Sequence, residues 1–142
     1  MTRRGSSGAG RSGVAGPEEM ARRASERAYA PYSGFRVGAV LEDGNGRLHA
    51  GCNVECASIG LSLCAERVAL GAALASGAKE FRRLWIYTPT RRPTPPCGAC
   101  RELLRRFADD LPIIALCEGD AVLRAQLSDL LPARTTTRRK RR

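Results

Sequence analysis

Three of the six cysteines in this chain of 142 residues are candidate metal ligands, and two of them have the spacing of a ligand pair. Cys97 and Cys100 are separated by two residues in the segment PCGAC, which lets both sulfurs reach one ion. Cys64 is a third candidate because, like Cys97, it directly precedes a predicted helix, where the helix dipole and free N–H groups favour a thiolate. A redox dithiol has the same spacing, but the third thiol and the lack of a strand immediately before PCGAC favour a metal.

Two charged residues beside Cys64 indicate that such a metal site would be catalytic. Three thiolates leave the fourth tetrahedral position of Zn²⁺ to water, as in catalytic zinc sites. Glu66 lies two residues after Cys64, within reach of that water without being a ligand, and we interpret it as a proton shuttle. Arg67 is interpreted as a donor to a ligand sulfur that offsets the negative charge of the site, although a surface arginine in an exposed first turn is an equally good interpretation.

The hydrophobic pattern predicts a scaffold of strands and helices that would position these residues. Two strand-like segments flank the turn DGNG, which is a strong hairpin signal. The apolar runs LWIYT and PIIALC are typical of buried strands, and the proline-rich segment 88–96 must be a loop. This alternation predicts an α/β sandwich with a mixed sheet. The predicted helices are 17–29, 64–76, 98–108 and 126–131, and the predicted strands are 35–42, 47–55, 84–88 and 112–117.

Composition and charge predict one soluble domain with two basic tails. Hydrophobic residues make up 43% of the sequence, and no run approaches the roughly 18 apolar residues of a membrane span, so we expect a cytoplasmic protein without membrane contact. The net charge is +10, but nine basic residues lie in residues 1–16 and 134–142, whereas all fourteen acidic residues lie between them. We therefore predict disordered tails, a domain at residues 17–133 and no nucleic-acid partner beyond non-specific contact through the tails.

The other cysteines and the single histidine are not assigned to the metal site. We predict that Cys52, Cys56 and Cys117 are buried or half-buried free thiols, because free cysteine packs as a small apolar residue. No ligand spacing relates His49 to another candidate. A disulfide scaffold is disfavoured because the sequence shows no export signal.

Four segments occur in an order that is typical of one enzyme family. They are YAPYSGFRVGA at 29–39, CNVECAS at 52–58, CAERVA at 64–69 and PPCGACREL at 95–103. In this order they resemble the zinc-dependent cytidine deaminase family, specifically its small homotetrameric form that acts on free nucleosides. The resemblance implies a three-layer α/β/α sandwich with a mixed five-stranded sheet. It also implies that Cys64, Cys97 and Cys100 bind Zn²⁺ and that Glu66 is the catalytic proton shuttle.

The resemblance further implies how a nucleoside would be bound and changed. Phe35 would pack near the base, and Asn53 and Glu55 would bind the sugar, with the Glu55 carboxylate accepting from the ribose 3′-hydroxyl. Ala65 would complete the substrate-binding set. The implied reaction is hydrolytic deamination at C4 of cytidine or 2′-deoxycytidine, with release of ammonia. From spacing alone, Asn53 and Glu55 are more typical of polar strand ends than of a sugar site, and Phe35 is more typical of ordinary core.

Three departures from the family pattern suggest an alternative substrate. Cys56 stands where the family usually has Asn, and Ile59 stands where a Tyr often helps a neighbouring subunit's site to hold the 5′-hydroxyl. The segment LLPART also lacks the Phe that commonly follows LLP and forms an aromatic wall. The alternative is a deaminase of a modified or antibiotic aminopyrimidine nucleoside, as in blasticidin S deaminases, although Glu55 favours a substrate with a free 3′-hydroxyl.

Two further functions compete with a nucleoside deaminase. The basic tails suggest polynucleotide editing, but enzymes of that kind typically use His where this chain has Cys64. A non-enzymatic zinc-binding module would need a fourth protein ligand, and no residue is positioned as convincingly as the three cysteines.

Overall fold

The computed structural model describes residues 13–131, which form one sheet with helices on both faces. Two short 3₁₀ helices, Ile59–Leu61 and Leu127–Leu130, accompany the regular elements. Those elements, in chain order, are α1 (Pro17–Glu26), β1 (Gly38–Asp43), β2 (Leu48–Cys52), α2 (Ala65–Ala75), β3 (Phe81–Tyr87), α3 (Gly98–Leu104), β4 (Pro112–Leu116) and β5 (Leu123–Gln126).

The sheet has the strand order β2-β1-β3-β4-β5 and is mixed. β1 pairs antiparallel with β2 across the hairpin and antiparallel with β3 on its other side. β3 and β4 run parallel, with α3 in the connection between them, and β5 pairs antiparallel with β4. The predicted hairpin and the mixed five-stranded sheet are therefore confirmed.

Residue alternation along the three central strands creates two cores, one on each face of the sheet. Leu41, Leu84 and Ile113 are register neighbours, and they lie in the larger core with the buried residues of α2 and α3. The next row, which begins with Val40 and is completed by Trp85 and Ile114, faces α1 instead. This arrangement is the predicted three-layer α/β/α sandwich.

Two glycines allow the helices to lie unusually close to the sheet. A Cβ atom at Gly38 would lie 1.9 Å from the carbonyl oxygen of Ala21 in α1. At Gly51 in β2 it would lie 2.4 Å from the backbone nitrogen of Ala69 in α2 and 2.6 Å from the carbonyl oxygen of Ala65. Because these contacts are with backbone, any larger residue would push the helix away from the strand.

The first and third helices end earlier than the sequence predicts. α1 ends at Glu26, not at residue 29, because the backbone of Tyr29 hydrogen bonds with the segment after β2. Its N–H donates to the Asn53 carbonyl (3.0 Å), and its carbonyl accepts from the Glu55 N–H (2.8 Å). α3 ends at Leu104, not at residue 108. The chain continues in tighter turns, in which the Phe107 N–H donates to the Leu104 carbonyl three residues earlier.

The chain after β4 also differs from the prediction. Residues 126–131 are predicted as a helix, but Gln126 still belongs to β5 and only Leu127–Leu130 form a 3₁₀ turn. β5 itself is missed because it has only four residues, which are half-buried or exposed and carry little hydrophobic signal. The hairpin strands are shorter than predicted, while the loop at 88–96 contains no strand or helix, as expected.

Several predictions concern residues that the structure does not describe. The basic tails fall mostly within residues 1–12 and 132–142, and Pro132, which we expect to end the last predicted helix, lies there too. Of the predicted N-terminal tail, residues 13–16 are described and lead into α1, for which Gly16 is the N-cap. Within residues 13–131, no helix is long and apolar enough to cross a membrane.

Candidate active site

The three predicted ligand cysteines meet where two helices begin. Cys64 is the N-cap of α2, Cys97 is the N-cap of α3, and Cys100 lies in the first turn of α3. The Cys64 and Cys97 sulfurs are 3.7 Å apart, those of Cys97 and Cys100 are 3.4 Å apart, and all three lie within 4.8 Å of one another. In the described part of the chain, no His, Asp, Glu or fourth Cys joins this cluster. The donor set therefore fits a cation with three thiolate ligands and an open position.

The surroundings of the three thiols differ. Burial raises the pKa values of Cys64 and Cys100, although a hydrogen bond from Arg67 partly opposes the shift at Cys64. Burial also acts to raise the pKa of Cys97, but hydrogen bonds from the backbone and thiol of Cys100 and from Cys64 outweigh it, so that this pKa is lowered. Metal binding to such a cluster must release protons, and affinity should fall in acid.

Arg101 holds the segment that carries Cys97. Its Nε donates to the Pro96 carbonyl (2.7 Å), and its Nη1 donates to the carbonyl of Leu130 in the last 3₁₀ turn (2.8 Å). Because Pro96 directly precedes Cys97, these bonds tie the loop to the end of the described chain. No motif or spacing in the sequence singles out this arginine.

Glu66 lies beside the cysteines in the first turn of α2, and only 5% of its surface is exposed. Its side chain lines a cavity of about 350 Å³, as do Cys64 and Cys97. Burial raises the pKa of Glu66, and the nearby Arg67 charge only partly opposes this. A carboxyl group with a raised pKa can both accept and donate a proton near neutral pH.

Arg67 makes the contact with a ligand sulfur that the sequence suggests. Its Nη2 lies 3.6 Å from the Cys64 sulfur and 2.9 Å from the Ser62 carbonyl oxygen, while its Nε is buried without a hydrogen-bond partner among the described residues. The guanidinium thus places positive charge beside a group that carries negative charge when ionised.

The cavity also contains all four residues assigned to substrate binding. They lie on three separate segments of chain, and only the fold brings them to the side of Glu66. These cavity-lining residues are Phe35, Asn53, Glu55 and Ala65.

The polar side chains of Asn53 and Glu55 are engaged with the loop between α1 and β1. Asn53 accepts from the Val37 N–H through Oδ1 (2.8 Å) and donates to the Phe35 carbonyl through Nδ2 (2.8 Å). Glu55 accepts from the N–H groups of Tyr32 (2.9 Å) and Ser33 (3.2 Å) and from the Ser33 hydroxyl. The Ser33 hydroxyl is the main reason why the pKa of Glu55 lies below its ordinary value.

Threonines of the loop 88–96 form a wall of the cavity that sequence reasoning missed. Thr88 and Thr94 line the cavity, and the Thr88 hydroxyl lies 2.9 Å from that of Thr90 and 3.5 Å from that of Thr94. The signal for this wall in the sequence is the group of threonines between a predicted buried strand and PCGAC. Ile59 also lines the cavity and is 86% exposed.

The three other cysteines are free and buried or half-buried, as predicted, and the structure adds a pairing for His49. Cys52 and Cys56 are half-buried and Cys117 is buried, and all three are free thiols. His49 is paired with Asp43 in the β1–β2 hairpin, with its Nε2 2.9 Å from Asp43 Oδ2.

Comparison with known proteins identifies the family. Residues 18–115 match the family model described as the cytidine and deoxycytidylate deaminase zinc-binding region. A cytidine deaminase of Halalkalibacterium halodurans is 41% identical over 115 residues, which cover 80% of this chain and 86% of the relative. The crystal structure of cytidine deaminase from Burkholderia pseudomallei superposes with a TM-score of 0.78 and 43% identity, covering 82% of this chain and 94% of that one.

A more distant relative is the blasticidin-S deaminase of Bacillus cereus, which is 27% identical over 111 residues. That match covers 70% of this chain and 76% of the relative. The cytidine deaminases match at higher identity over a larger share of both chains. From its motifs, its fold and these matches, the chain belongs to the cytidine deaminase family of enzymes.

Proposed function

We propose that this protein is a zinc-dependent hydrolase that converts cytidine and 2′-deoxycytidine to uridine and 2′-deoxyuridine with release of ammonia. The observation that carries this proposal is the convergence of three cysteine sulfurs within 4.8 Å of one another beside the buried Glu66. The cavity next to them, about 350 Å³, is large enough for a small molecule, and its lining is predominantly apolar with a few polar groups, as in other ligand sites.

Cys64, Cys97 and Cys100 would hold the zinc ion. Sulfur donors in this number suit Zn²⁺, and Arg67 would offset part of the charge of three thiolates. When bound, the ion supplies Lewis-acid activation of water, which is the nucleophile of the reaction.

Glu66 would move the protons of the reaction. Its carboxylate accepts a proton from the attacking water, delivers one to N3 of the cytosine ring, and serves again as the amino group at C4 leaves as ammonia. One water is consumed, and its oxygen replaces the amino nitrogen at C4. The low exposure of Glu66 keeps bulk water from competing for these protons.

The rest of the cavity would bind and orient the nucleoside. Phe35 packs near the base, Asn53 and Glu55 bind the sugar, and Ala65 belongs to the same substrate-binding set. All four line the cavity that contains Glu66, which supports this assignment. Incubating the zinc-loaded protein with cytidine and with 2′-deoxycytidine tests it through the decrease in absorbance of the cytosine band and the release of ammonia. A zinc-loaded protein that is inert on both nucleosides would contradict the substrate assignment.

Replacement of Glu66 provides the sharpest test of the mechanism. Glu66→Gln keeps the shape of the side chain but cannot accept a proton, so kcat should fall about 100-fold or more while zinc content and thermal midpoint stay near those of the wild type. Glu26→Gln, at the exposed end of α1, is the matched control and should retain full activity. Turnover by Glu66→Gln at the wild-type rate would remove Glu66 from the mechanism.

An altered substrate is the second candidate function. Cys56 and the exposed, cavity-lining Ile59 stand where the family pattern differs, and a blasticidin-S deaminase is among the relatives. Glu55 favours the simple nucleosides because it would bind a free 3′-hydroxyl. A panel of cytosine nucleosides that keep or lack this hydroxyl, together with an antibiotic aminopyrimidine nucleoside, separates the two functions by their kcat/KM values.

We also infer that the protein is a homotetramer and that it works in the cytoplasm. The resemblance to the small homotetrameric deaminases supports the first inference, as do large apolar side chains that are exposed on segments that also carry cavity-lining residues. These side chains include Tyr32 (65% exposed), Ile59 (86%) and Leu61 (70%). The disordered basic tails and their non-specific contact with nucleic acid remain predictions.

A further inference from the structure

The loop of residues 30–36 is held against the cavity by the carboxylate of Glu55. The Tyr32 N–H (2.9 Å) and the Ser33 N–H (3.2 Å) both donate to Oε2, while the Ser33 hydroxyl donates to Oε1. Ser33 lies next to Gly34, whose φ of 66° turns the chain so that Phe35 reaches the cavity. One carboxylate thus binds three donors of a single turn.

The number of acceptor positions on Glu55 limits what else it can bind. An ionised carboxylate offers about four lone-pair positions, two on each oxygen. The two N–H groups occupy both positions of Oε2, and the Ser33 hydroxyl occupies one position of Oε1. One position therefore remains for a ligand, and it lies on the oxygen that Ser33 orients.

The Ser33 hydroxyl also fixes the backbone of Phe35. Its oxygen accepts from the Phe35 N–H (3.0 Å), and its single hydrogen is donated to Glu55. The Phe35 carbonyl is bound in turn by Asn53 Nδ2 (2.8 Å). Because both backbone polar groups of Phe35 are bound, its position depends on the same network that orients Glu55.

We propose that Ser33 is a positioning residue that makes Glu55 bind a single sugar hydroxyl and holds Phe35 in its place beside the base. The inference rests on the proposed function, because it assigns the open position of Glu55 to the 3′-hydroxyl of a cytosine nucleoside. Without the Ser33 hydroxyl, Oε1 has two open positions and loses its oriented partner, so water can occupy the site and the carboxylate can rotate.

Comparison of cytidine with 3′-deoxycytidine isolates the sugar part of this role. In Ser33→Ala, any displacement of Phe35 weakens both substrates, whereas misorientation of Glu55 weakens only the one with a 3′-hydroxyl. The ratio of kcat/KM for cytidine to that for 3′-deoxycytidine should therefore fall about tenfold or more, as expected for loss of an oriented hydrogen bond to a charged group. The fall should arise mainly from KM, since Ser33 does not touch the reacting atoms.

Further variants make the comparison specific. Ser33→Thr keeps the hydroxyl and should restore most of the ratio, and Ser33→Cys, a weak donor of similar size, should give an intermediate value. Ser76→Ala, which removes a serine hydroxyl bonded only to the Ala73 carbonyl at the end of α2, should leave the ratio unchanged. In a Glu55→Ala background, adding Ser33→Ala should not change the ratio further.

The outcomes separate this inference from the function on which it rests. A wild-type protein that deaminates neither cytidine nor 2′-deoxycytidine contradicts the proposed function itself. An active wild type whose ratio is the same in Ser33→Ala overturns the role of Ser33 alone, provided that zinc content and thermal midpoint are unchanged. If Ser33→Ala does not fold, the Ser33→Cys variant decides, because a ratio equal to that of the wild type overturns the role equally.

Discussion

Glu66 and Asp43 are both buried carboxylates, yet their surroundings shift their pKa values in opposite directions. Glu66 is 5% exposed and has few donors, so that burial raises its pKa. Asp43 is 1% exposed, but the His49 ring donates to it (2.9 Å), as do the N–H groups of Asn45 and Arg47, and its pKa falls to about 2. The first carboxylate is suited to proton transfer, whereas the second stays ionised and stabilises the β1–β2 turn.

The lowered pKa of Asp43 predicts a specific loss of stability in acid. Because its folded-state pKa lies below the ordinary value of 3.8, the ionised carboxylate stabilises the fold above about pH 4, and this contribution disappears as the pH falls toward 2. Asp43→Asn should therefore have a lower thermal midpoint than the wild type at pH 7, and the two midpoints should converge near pH 2. Circular dichroism melts at both pH values measure this.

The exposed Asp120 supplies the control for that measurement, and Asp120→Asn should shift neither midpoint. If the thermal midpoints of the wild type and Asp43→Asn differ by the same amount at pH 7 and at pH 2, the charge of Asp43 is not the cause of the difference.

At the scale of elements, the position of α2 decides whether the site forms. This helix carries Cys64 at its N-cap and Glu66 in its first turn, and its buried residues pack on the sheet. Gly51 in β2 allows that packing, because a Cβ there would lie 2.4 Å from the backbone nitrogen of Ala69. The close contact of Gly51 with α2 therefore sets how near the helix that carries Cys64 and Glu66 lies to the sheet.

Gly51→Ala should consequently damage stability and zinc binding together. The added methyl group meets backbone atoms that cannot rotate away, and we expect a loss of about 1–3 kcal/mol in the free energy of unfolding with a lower zinc content. Gly71→Ala is the matched control, because Gly71 lies in the same helix with nothing within 4 Å of its Cβ position. This control should gain about 0.5–1 kcal/mol, as Gly→Ala changes do inside helices.

Urea unfolding and metal analysis of both variants provide the readout. A Gly51→Ala protein with wild-type stability and full zinc content would contradict the tight contact between β2 and α2.

At the scale of the whole molecule, the large apolar residue Ile59 lines the cavity and is nevertheless exposed. This side chain is 86% exposed although it is large and apolar, and Leu61 in the same 3₁₀ turn is 70% exposed. Exposed apolar residues at the mouth of a site are expected where a neighbouring subunit covers it. We therefore expect light scattering to give about four times the chain mass of 15.3 kDa.

Replacing the apolar side chain of Ile59 tests the same expectation. Ile59→Lys should lower the mass in solution, whereas Val122→Lys, which changes another exposed apolar residue outside the cavity, should not. A wild-type protein with the mass of a single chain would contradict the tetramer.

Much of the candidate site could be predicted because its residues are close to one another in the sequence. Cys97 and Cys100 are separated by only two residues, and Glu66 follows Cys64 within one helical turn. Each of these two pairs is therefore close in any fold that forms the two helices. The strands β1 to β4 are predicted for a similar reason, since hydrophobic periodicity reflects burial directly.

Only the tertiary structure decided the features that depend on contacts between distant segments. The end of α1 depends on the hydrogen bonds of Tyr29 with the segment after β2. The strand β5 forms because it pairs with the edge of β4, and its own four residues do not indicate a strand. In the same way, Glu55 meets the Ser33 hydroxyl across 22 positions of sequence. Local spacing determined which groups could bind a metal and transfer protons, but long-range hydrogen bonds and close packing determined what surrounds them, because such contacts leave no periodic signal in the chain.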